Sequence, residues 1–298
     1  MTTAPLRIVV ATDERYVAPT AASVRSVIDT LAAGDTLEIA VLACDLSENS
    51  REQLVLSWND PRCGVVIADV DVSRFARLPI TSAASNRLTR AAYARLMLGQ
   101  LLPDHWHRVI YLDTDTITRR PLNPLWNTDL AGNLIGAVRD DYIPTVASPH
   151  GIPTWHKLGL PADLPYFNSG VMLIDVDAWR NEDLGERALA YLAEHPDDIS
   201  LFDQDALNAV IAGRWLELDT IWNVTGYWRK AARRTGRHQH ILTTAAIRHF
   251  TGNGKPWDAQ PLNVPDGALF FASLARTQWP HWRAPDHQPA VPQTAGEH

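Results

Sequence analysis

Apolar positions over the first 140 residues follow two patterns, short runs typical of strands and a spacing typical of helices. Short, predominantly apolar runs predict buried strands at residues 6–11, 36–43, 65–68 and 108–112. Between them, apolar residues recur at helical spacing over residues 17–31, 47–58 and 89–102, and Ser47 or Ser50 is a candidate cap for the second helix. Apolar strands that alternate with helices predict an α/β protein with a parallel sheet covered by helices on both faces.

The pattern loosens after residue 137. Residues 140–165 are rich in proline and poor in periodicity, which predicts a mobile excursion over the site with few contacts of its own. A strand at residues 171–174 and a helix at residues 204–212 follow. The basic residues of segment 226–240 fit a solvated surface as well as they fit a grip on anionic groups.

Composition limits the class of protein. The chain has 298 residues, 46% of them hydrophobic, and its net charge of −7 disfavours binding to nucleic acid. No apolar run approaches the roughly 18 residues that a membrane helix needs. The N-terminal segment lacks the basic and apolar regions of a secretory signal, and two cysteines cannot form a disulfide framework. These features predict a cytoplasmic protein with no transmembrane segment.

Two aspartates follow the strand at residues 108–112. The alternation of side chains along an extended chain brings Asp113 and Asp115 to the same side. Ligands of parallel sheets bind beyond the carboxyl ends of the strands, and this edge also receives Asp13 from the first strand. The carboxylate pair fits a divalent cation, and it equally fits a role in turns or helix caps.

Two further polar segments occur within apolar surroundings. Residues 168–170 (Asn-Ser-Gly) interrupt an apolar run, which a buried strand tolerates where a ligand or a close backbone approach uses it. Residues 203–205 (Asp-Gln-Asp) open a helix, where the carboxylates can cap the helix, serve catalysis, or do both.

A third segment joins an imidazole, a glycine-rich turn and a lysine. His249 is followed by Gly252 and by Lys255. Glycines allow backbone amides to approach a phosphate, and a lysine adds a positive charge. The combination favours a ligand role for His249 over a structural one.

In this order, the segments resemble glycosyltransferase family 8, the retaining, metal-dependent transferases that include bacterial lipopolysaccharide galactosyl- and glucosyltransferases and glycogenin. The resemblance covers residues 6–257 and implies a single Rossmann-like, GT-A type fold with a mostly parallel central sheet. It implies a transferase domain over residues 1–260, with a donor-binding half (1–140) and an acceptor and lid half (141–260). Residues 261–298 would form a C-terminal extension whose tail, from about residue 280, is flexible.

The resemblance also implies roles for single residues. Asp113, Asp115 and His249 match the metal ligands of the family, which bind Mn²⁺ or Mg²⁺. The residues that match its donor-binding positions are Ala11, Asp13, Tyr16, Arg95, Asp113, Thr114, Asn168, Asp203, Gly252 and Lys255. The implied catalytic residues are Asp140, Asp203 and Gln204.

The implied reaction is transfer of glucose or galactose from a UDP-sugar to an acceptor, a saccharide or glycoconjugate, with retention of anomeric configuration. Gln204 is a poor nucleophile, which favours attack from the front face, whereas Asp203 or Asp205 as a carboxylate nucleophile stays open. Two departures from the family are notable. Arg15 stands where many members carry a small amide residue, and the C-terminal tail lacks the basic and aromatic character that would imply docking to a membrane surface.

Two other functions fit parts of the sequence. The segment ending in Asp113 and Asp115 is similar to the nucleophile motif of haloacid-dehalogenase-type phosphatases, with Asp140 and Asp141 as a second acidic pair. A non-catalytic protein that binds a sugar nucleotide is the other alternative.

The eleven tryptophans are a separate feature of the composition. Tryptophan excess fits stacking on sugars, and the predicted acceptor-side residues are Trp155, Trp222, Trp228 and Trp257. The patterns around Trp58, Trp126 and Trp179 predict core positions instead.

Overall fold

The computed structural model describes residues 4–78, 89–225, 243–252, 255–257 and 267–284. The strands within these ranges are β1 (Leu6–Asp13), β2 (Leu37–Cys44), β3 (Cys63–Asp69), β4 (Arg108–Leu112), β5 (Thr116–Thr118), β6 (Ile135–Arg139), β7 (Phe167–Asp175), β8 (Trp215–Glu217) and β9 (Ile247–His249). The predicted basic segment 226–240, Trp228 and residues 285–298 of the tail lie outside the described residues.

Eight α-helices accompany the strands in the described ranges. They are α1 (Val17–Asp29), α2 (Glu48–Ser57), α3 (Leu98–Leu101), α4 (Asn123–Trp126), α5 (Val176–Asn181), α6 (Leu184–Glu194), α7 (Phe202–Ile211) and α8 (Gly267–Leu274). The predicted helix at residues 89–102 is instead a 3₁₀-helix, Arg90–Met97, that continues into α3. Ser47, one of the two predicted caps, accepts the backbone N–H of Ser50 and begins α2.

The central sheet is mostly parallel, which confirms the predicted fold class. Its seven strands lie in the order β3-β2-β1-β4-β7-β6-β8. Strands β1 to β4 are parallel, and β6 is parallel to β8. Both faces are covered, because alternate residues of β1 enter two separate cores: Val9 packs on the side of α6 and α7, and Ile8 packs on the side of α1 and α2.

Strand β7 differs from the parallel prediction. It runs antiparallel to both β4 and β6, and its first residue, Phe167, pairs with Arg139 at the end of β6. The chain between these strands does not cross the sheet, so β7 starts at the edge where β4 and β6 end. Residues 168–170 consequently lie beside Asp113 and Asp140.

A second, two-stranded sheet brings a distant segment to the same edge. Strand β9 pairs antiparallel with β5, and His249 lies opposite Thr116. The backbone N–H of Phe250 donates to the carbonyl of Asp115. His249 therefore reaches the Asp113 turn although it lies far later in the sequence.

The segment at residues 140–165 packs more closely than its sequence predicts. Ile143, Val146 and Ile152 are buried in the core on the α6 and α7 side. The backbone N–H of Val146 donates to the carbonyl of Leu164 at 2.9 Å, which ties the early part of the segment to its end. The expectation of few contacts was wrong, because sparse apolar residues sufficed to anchor the segment.

The C-terminal extension contributes helix α8. Phe270 packs against Ala18 and Ala22 of α1, and Trp257 lies against Phe270 with ring centroids 4.7 Å apart. Among the described helices, α8 included, none is long and apolar enough to cross a bilayer.

Candidate functional site

A cavity of about 510 Å³ opens at the carboxyl edge of β1 and β4. Predicted site residues from distant parts of the chain share its wall: Ala11, Tyr16, Arg95, Asp113, Thr114, Asp115, Asp140, Asn168, Asp203, Gln204, His249, Gly252 and Lys255. Asp13 is not part of this wall. Its carboxylate accepts the backbone N–H of Tyr16 at 3.1 Å, and so shapes the turn into α1.

Asp113, Asp115 and His249 form a compact group within the cavity. One ligand atom from each lies within 4.8 Å of the others. His249 Nε2 is 3.1 Å from Asp115 Oδ1 and 3.6 Å from Asp113 Oδ2. Two carboxylate oxygens and one imidazole nitrogen suit a divalent cation that accepts both kinds of ligand. The residues thus fit the predicted metal site.

A tight turn between β4 and β5 places the two carboxylates. The carbonyl of Asp113 accepts the backbone N–H and the hydroxyl of Thr116, the latter at 2.8 Å. The turn keeps Asp115 on the same side as Asp113 and exposes Thr114 to the cavity. The two carboxylates lie on one side as the two-residue spacing predicted, but a turn brings them together and not the extended chain that the prediction assumed.

Two cations hold the carboxylates. Lys255 Nζ donates to Asp115 and, at 2.6 Å, to the carbonyl of Phe250. Burial alone would raise the pKa of Asp115, but Lys255 and His249 hold that pKa below its usual range. The buried Arg95 guanidinium donates to Asp113 Oδ1 at 2.6 Å and lies over the Tyr111 ring.

Gly170 makes room for this group. Its carbonyl accepts the Asp113 N–H at 2.8 Å, and its Cα faces the His249 ring. A Cβ there would lie 2.1 Å from His249 Cε1. The polar interruption in the apolar run therefore marks a close approach, as its sequence predicted.

Amide side chains join β7 to α7 on the other wall of the cavity. Gln204 Oε1 accepts the Ser169 N–H at 3.0 Å, and Gln204 Nε2 donates to Asp140 Oδ2 at 3.3 Å. Asp140 also accepts from Asn168 Nδ2 at 3.0 Å and from the backbone N–H groups of Tyr142 and Ile143. Four protein donors thus engage the Asp140 carboxylate.

Asp203 and Asp205 differ in their surroundings. Asp203 lines the cavity and lies 3.0 Å from Arg95 Nε, and burial raises its pKa to about 6 against the opposing effect of Arg95. Asp205 accepts from the backbone of Ser200 and Leu201 and from the Tyr166 hydroxyl, away from the cavity wall. Burial raises the Asp205 pKa to about 6. Of the two carboxylates left open as nucleophiles, Asp203 lines the cavity and Asp205 does not.

Helix α7 begins at a strained residue. Phe202 has a φ of 49°, in the left-handed region that disfavours bulky side chains. Its ring packs edge-on against Tyr93 with centroids 6.0 Å apart. This packing holds the first turn of α7, and with it Asp203 and Gln204, against the cavity.

The structure adds site residues that the sequence did not indicate. Asn223 Oδ1 lies 2.8 Å from His249 Nδ1, and the Tyr111 hydroxyl donates to Asp113 Oδ1 at 3.3 Å. Neither sequence context carries a signal, because Asn223 follows a short 3₁₀-turn and Tyr111 continues an apolar strand.

The tryptophan predictions have mixed outcomes. Trp58 and Trp179 are buried, as predicted. Trp222 is also buried in the core, where it offers no face to a sugar. Trp155 and Trp257 are partly exposed outside the cavity wall, and an acceptor-side role for them stays a prediction. The sequence context of a tryptophan does not separate core packing from a sugar platform.

Comparisons with known proteins identify the family. The family model for glycosyl transferase family 8 matches residues 7–260. General stress protein A of Bacillus subtilis (strain 168) is 33% identical over 204 residues, covering 65% of this chain and 68% of that protein. Lipopolysaccharide 1,2-glucosyltransferase of Escherichia coli (strain K12) is 28% identical over 220 residues, covering 72% of this chain and 62% of that protein. The matches thus span about two thirds of these curated relatives.

The fold has a counterpart among solved structures. The galactosyltransferase LgtC, in complex with donor and acceptor sugar analogues, superposes with a TM-score of 0.78 at 26% identity, covering 92% of this chain and 96% of that one. The family match excludes the phosphatase alternative. The two aspartates of the phosphatase-like motif are instead part of the candidate metal site. The chain belongs to glycosyltransferase family 8.

Proposed function

We propose that this protein transfers glucose or galactose from a UDP-sugar to a saccharide or glycoconjugate acceptor with retention of anomeric configuration. One observation supports the proposal above the others: Asp113, Asp115 and His249 converge in a single cavity with Lys255 and with the β7 and α7 residues. The group of Asp113, Asp115 and His249, with Lys255, suits a donor diphosphate, and the β7 and α7 residues suit the sugar of that donor.

Asp113, Asp115 and His249 would hold Mn²⁺, or Mg²⁺, at the diphosphate. The cation, when bound, neutralises negative charge that develops on the leaving diphosphate. Lys255 adds a positive charge on the same side, and Gly252, with a φ of 64°, gives the turn a close backbone approach to the cavity. Arg95 keeps Asp113 oriented toward the cation through its 2.6 Å bond.

On the sugar side, Asp203 is the carboxylate with a direct role. Its pKa of about 6 leaves it mostly ionised at neutral pH, so it can accept hydrogen bonds from sugar hydroxyls. A carboxylate has about four acceptor positions, and protein donors already engage four at Asp140. Asp140 therefore acts as a positioning residue for Asn168 and Gln204.

Front-face attack is the stereochemical course that the side chains favour. Gln204 is neutral, and its Oε1 already accepts the Ser169 N–H. Asp203 would have to leave Arg95 to attack the anomeric carbon. We therefore assign Gln204 to the face of the sugar, where it restricts the orientation of the sugar. Retention would then result because the diphosphate departs and the acceptor attacks on the same face.

The acceptor would enter at the mouth of the cavity beside Tyr142. Tyr142 and His150 stack with ring centroids 5.3 Å apart and 15° between their planes, and both line the cavity. Tyr142 is 52% exposed, so its ring offers an apolar face to a sugar. Residues 141–260 would thus contribute to the acceptor side and, through Asp203, His249 and Lys255, to the donor side as well.

We also place the protein in the cytoplasm. Cys44 and Cys63 are free thiols, which fits a reducing compartment. No contact with a membrane surface is required by the proposed reaction.

The proposal is tested by sugar transfer from radiolabelled donors. The wild-type protein with Mn²⁺ and UDP-glucose or UDP-galactose should release UDP, and EDTA should abolish the release. Asp113→Asn should reduce turnover by at least about 100-fold, since a metal ligand is lost. The matched control is Asp177→Asn, which removes an exposed carboxylate paired with His107 and should leave turnover unchanged. Absence of metal-dependent UDP release from any UDP-hexose would contradict the proposal.

A further inference from the structure

A buried asparagine contacts His249 at Nδ1, the ring nitrogen on the side away from Asp113 and Asp115. Asn223 is 0% exposed and lies between a 3₁₀-turn, Thr220–Trp222, and the strand that carries His249. Its Oδ1 is 2.8 Å from His249 Nδ1, and its Nδ2 donates to Asn168 Oδ1 at 2.8 Å. One side chain thus joins the metal-ligand group to the β7 residues.

The directions of these hydrogen bonds follow from the backbone. The Gly170 N–H can only donate, and it donates to Asn168 at 3.0 Å, so the atom facing it is the oxygen Oδ1. Asn168 Nδ2 then points to the Asp140 carboxylate, which accepts it. The orientation of the Asn168 amide is therefore set by two partners of fixed character.

The orientation of Asn168 in turn fixes the amide of Asn223 and the proton on His249. Asn168 presents its oxygen to Asn223, so Asn223 must present its amide nitrogen there and its own oxygen to the imidazole. An oxygen at 2.8 Å requires a proton on His249 Nδ1. In the neutral ring that a metal ligand requires, Nε2 then carries the lone pair, and Nε2 is the atom that faces Asp113 and Asp115.

Without Asn223 the opposite tautomer is favoured. Asp115 Oδ1, 3.1 Å away, would accept a proton on Nε2, and the Asp113 carboxylate, 3.6 Å away, would attract that proton without a hydrogen bond. An imidazole protonated at Nε2 offers no lone pair to a cation at that position. The carboxylates and Asn223 thus compete for the single proton of the neutral ring.

We propose that Asn223 is a positioning residue that fixes the tautomer of His249 and thereby makes the Asp113, Asp115 and His249 group competent to bind a divalent cation. The inference rests on the proposed function, because it concerns the same metal site. Partners that orient a metal-binding histidine typically change metal affinity by 10–100-fold when removed.

The test uses the full chain and two measurements that do not depend on turnover. Long-range ¹H–¹⁵N NMR on histidine-labelled protein without metal reports which nitrogen of His249 is protonated, with His249→Ala to assign the signal. Electron paramagnetic resonance of free Mn²⁺ gives the dissociation constant. The wild type should show a proton on Nδ1 and should bind Mn²⁺.

Two variants separate the acceptor from the bulk of the side chain. Asn223→Leu removes the acceptor, so the proton should shift to Nε2 and Mn²⁺ affinity should fall by about 10-fold or more. Asn223→Asp keeps an acceptor for Nδ1, so it should retain the wild-type tautomer while losing the donor to Asn168. Asn223→Asp also keeps the test decisive if the leucine variant fails to fold.

A second buried asparagine supplies the control. Asn208 binds the backbone of Phe167 and of Gln204 and does not touch His249. Asn208→Ala should lower the free energy of unfolding and leave Mn²⁺ affinity within about twofold of the wild type, whereas equal weakening in Asn208→Ala would overturn the inference.

The outcomes distinguish this inference from the proposed function. If the wild type binds no Mn²⁺, the proposed function fails. If the wild type binds Mn²⁺ but Asn223→Leu binds it equally well with Nδ1 still protonated, the inference is overturned and the proposed function stands. A proton on Nε2 in Asn223→Asp would also overturn it.

Discussion

Gly170 lies so close to His249 that a Cβ at position 170 would be 2.1 Å from His249 Cε1 and 2.7 Å from Asp113 Oδ2. The peptide groups of Gly170 are fixed on both sides. Its N–H donates to Asn168 Oδ1 and its carbonyl accepts the Asp113 N–H. Any side chain added there must therefore displace the two metal-binding side chains rather than the strand.

Gly170→Ala should weaken metal binding while the protein stays folded. Overpacking by one methyl group costs about 1–3 kcal/mol of unfolding free energy, which a large core tolerates. The displaced His249 and Asp113 should raise the dissociation constant for Mn²⁺ by more than about 10-fold. Mn²⁺ titration together with thermal unfolding checks both parts. Gly64→Ala, where a Cβ meets no atom within 4 Å, is the matched control. Wild-type Mn²⁺ affinity in Gly170→Ala would contradict the assignment.

UDP should stabilise the protein only when a divalent cation is present. Without the cation, the diphosphate and the Asp113 and Asp115 carboxylates repel one another. At about 100 times the dissociation constant, a ligand adds roughly 2.7 kcal/mol to the unfolding free energy. Thermal shifts with UDP in Mn²⁺ and in EDTA measure this difference. Equal shifts under both conditions would show that UDP does not bind at this metal site.

The strands and the first site residues were predictable because their signals are local. β1, β2 and β4 are predominantly apolar runs, and the structure reproduces them within about two residues at each end. The two-residue spacing of Asp113 and Asp115 likewise predicted that the two carboxylates share a side. Whether β7 runs parallel or antiparallel to its neighbours has no such signal, since the apolar pattern of a strand is the same in both orientations. The chain path between β6 and β7 decided it.

Groups that meet across the fold were harder to predict. Asn223 acts on His249 through a contact between two segments that each lack a distinctive pattern. Asp205 belongs to a polar triplet that predicts chemistry for both carboxylates. Only burial and three protein donors distinguish its role from that of Asp203.

Asp205 should make the stability of the wild type fall as pH rises from about 4 to 6. Burial raises its pKa from 3.8 to about 6 in the folded state, so the native protein binds the proton more tightly than the unfolded chain does. The stabilising contribution is complete below pH 4 and is lost by pH 6. Asn in its place can still accept the Ser200 and Leu201 N–H groups.

Asp205→Asn should therefore gain unfolding free energy relative to the wild type over that pH interval. Chemical denaturation of both proteins at pH 4, 5, 6 and 7 measures the difference. A difference that stays constant from pH 4 to 7 would contradict the raised pKa of Asp205.

Asp203→Asn and Gln204→Ala should lower turnover with little change in UDP affinity. Asp203 and Gln204 line the cavity and, in the proposed function, contact the donor sugar, which UDP lacks. We expect kcat to fall by about 10–100-fold in each, with the dissociation constant for UDP within about threefold of the wild type. Steady-state kinetics and calorimetry with UDP separate the two effects. A parallel loss of UDP affinity in both variants would show that the start of α7 serves the structure of the whole cavity.

His249→Ala and Lys255→Ala should fail in different ways. His249 supplies a ligand atom to the cation, so its loss should raise the Mn²⁺ concentration needed for UDP-sugar cleavage by about 10-fold or more. UDP should then bind weakly even at high Mn²⁺, because the cation that bridges UDP to the carboxylates is poorly held.

Lys255 supplies positive charge without a ligand atom. Lys255→Ala should keep the Mn²⁺ requirement near the wild-type value and lose diphosphate affinity by about 1.5–3 kcal/mol, the range for hydrogen bonds to charged groups. The Lys255→Arg variant keeps the charge and should recover part of that affinity. Calorimetric titrations of Mn²⁺, and of UDP at saturating Mn²⁺, give the two constants for each variant. If both alanine variants bound Mn²⁺ and UDP as the wild type does, the segment from His249 to Lys255 would close a β-turn only, and the diphosphate would have to lie elsewhere in the cavity.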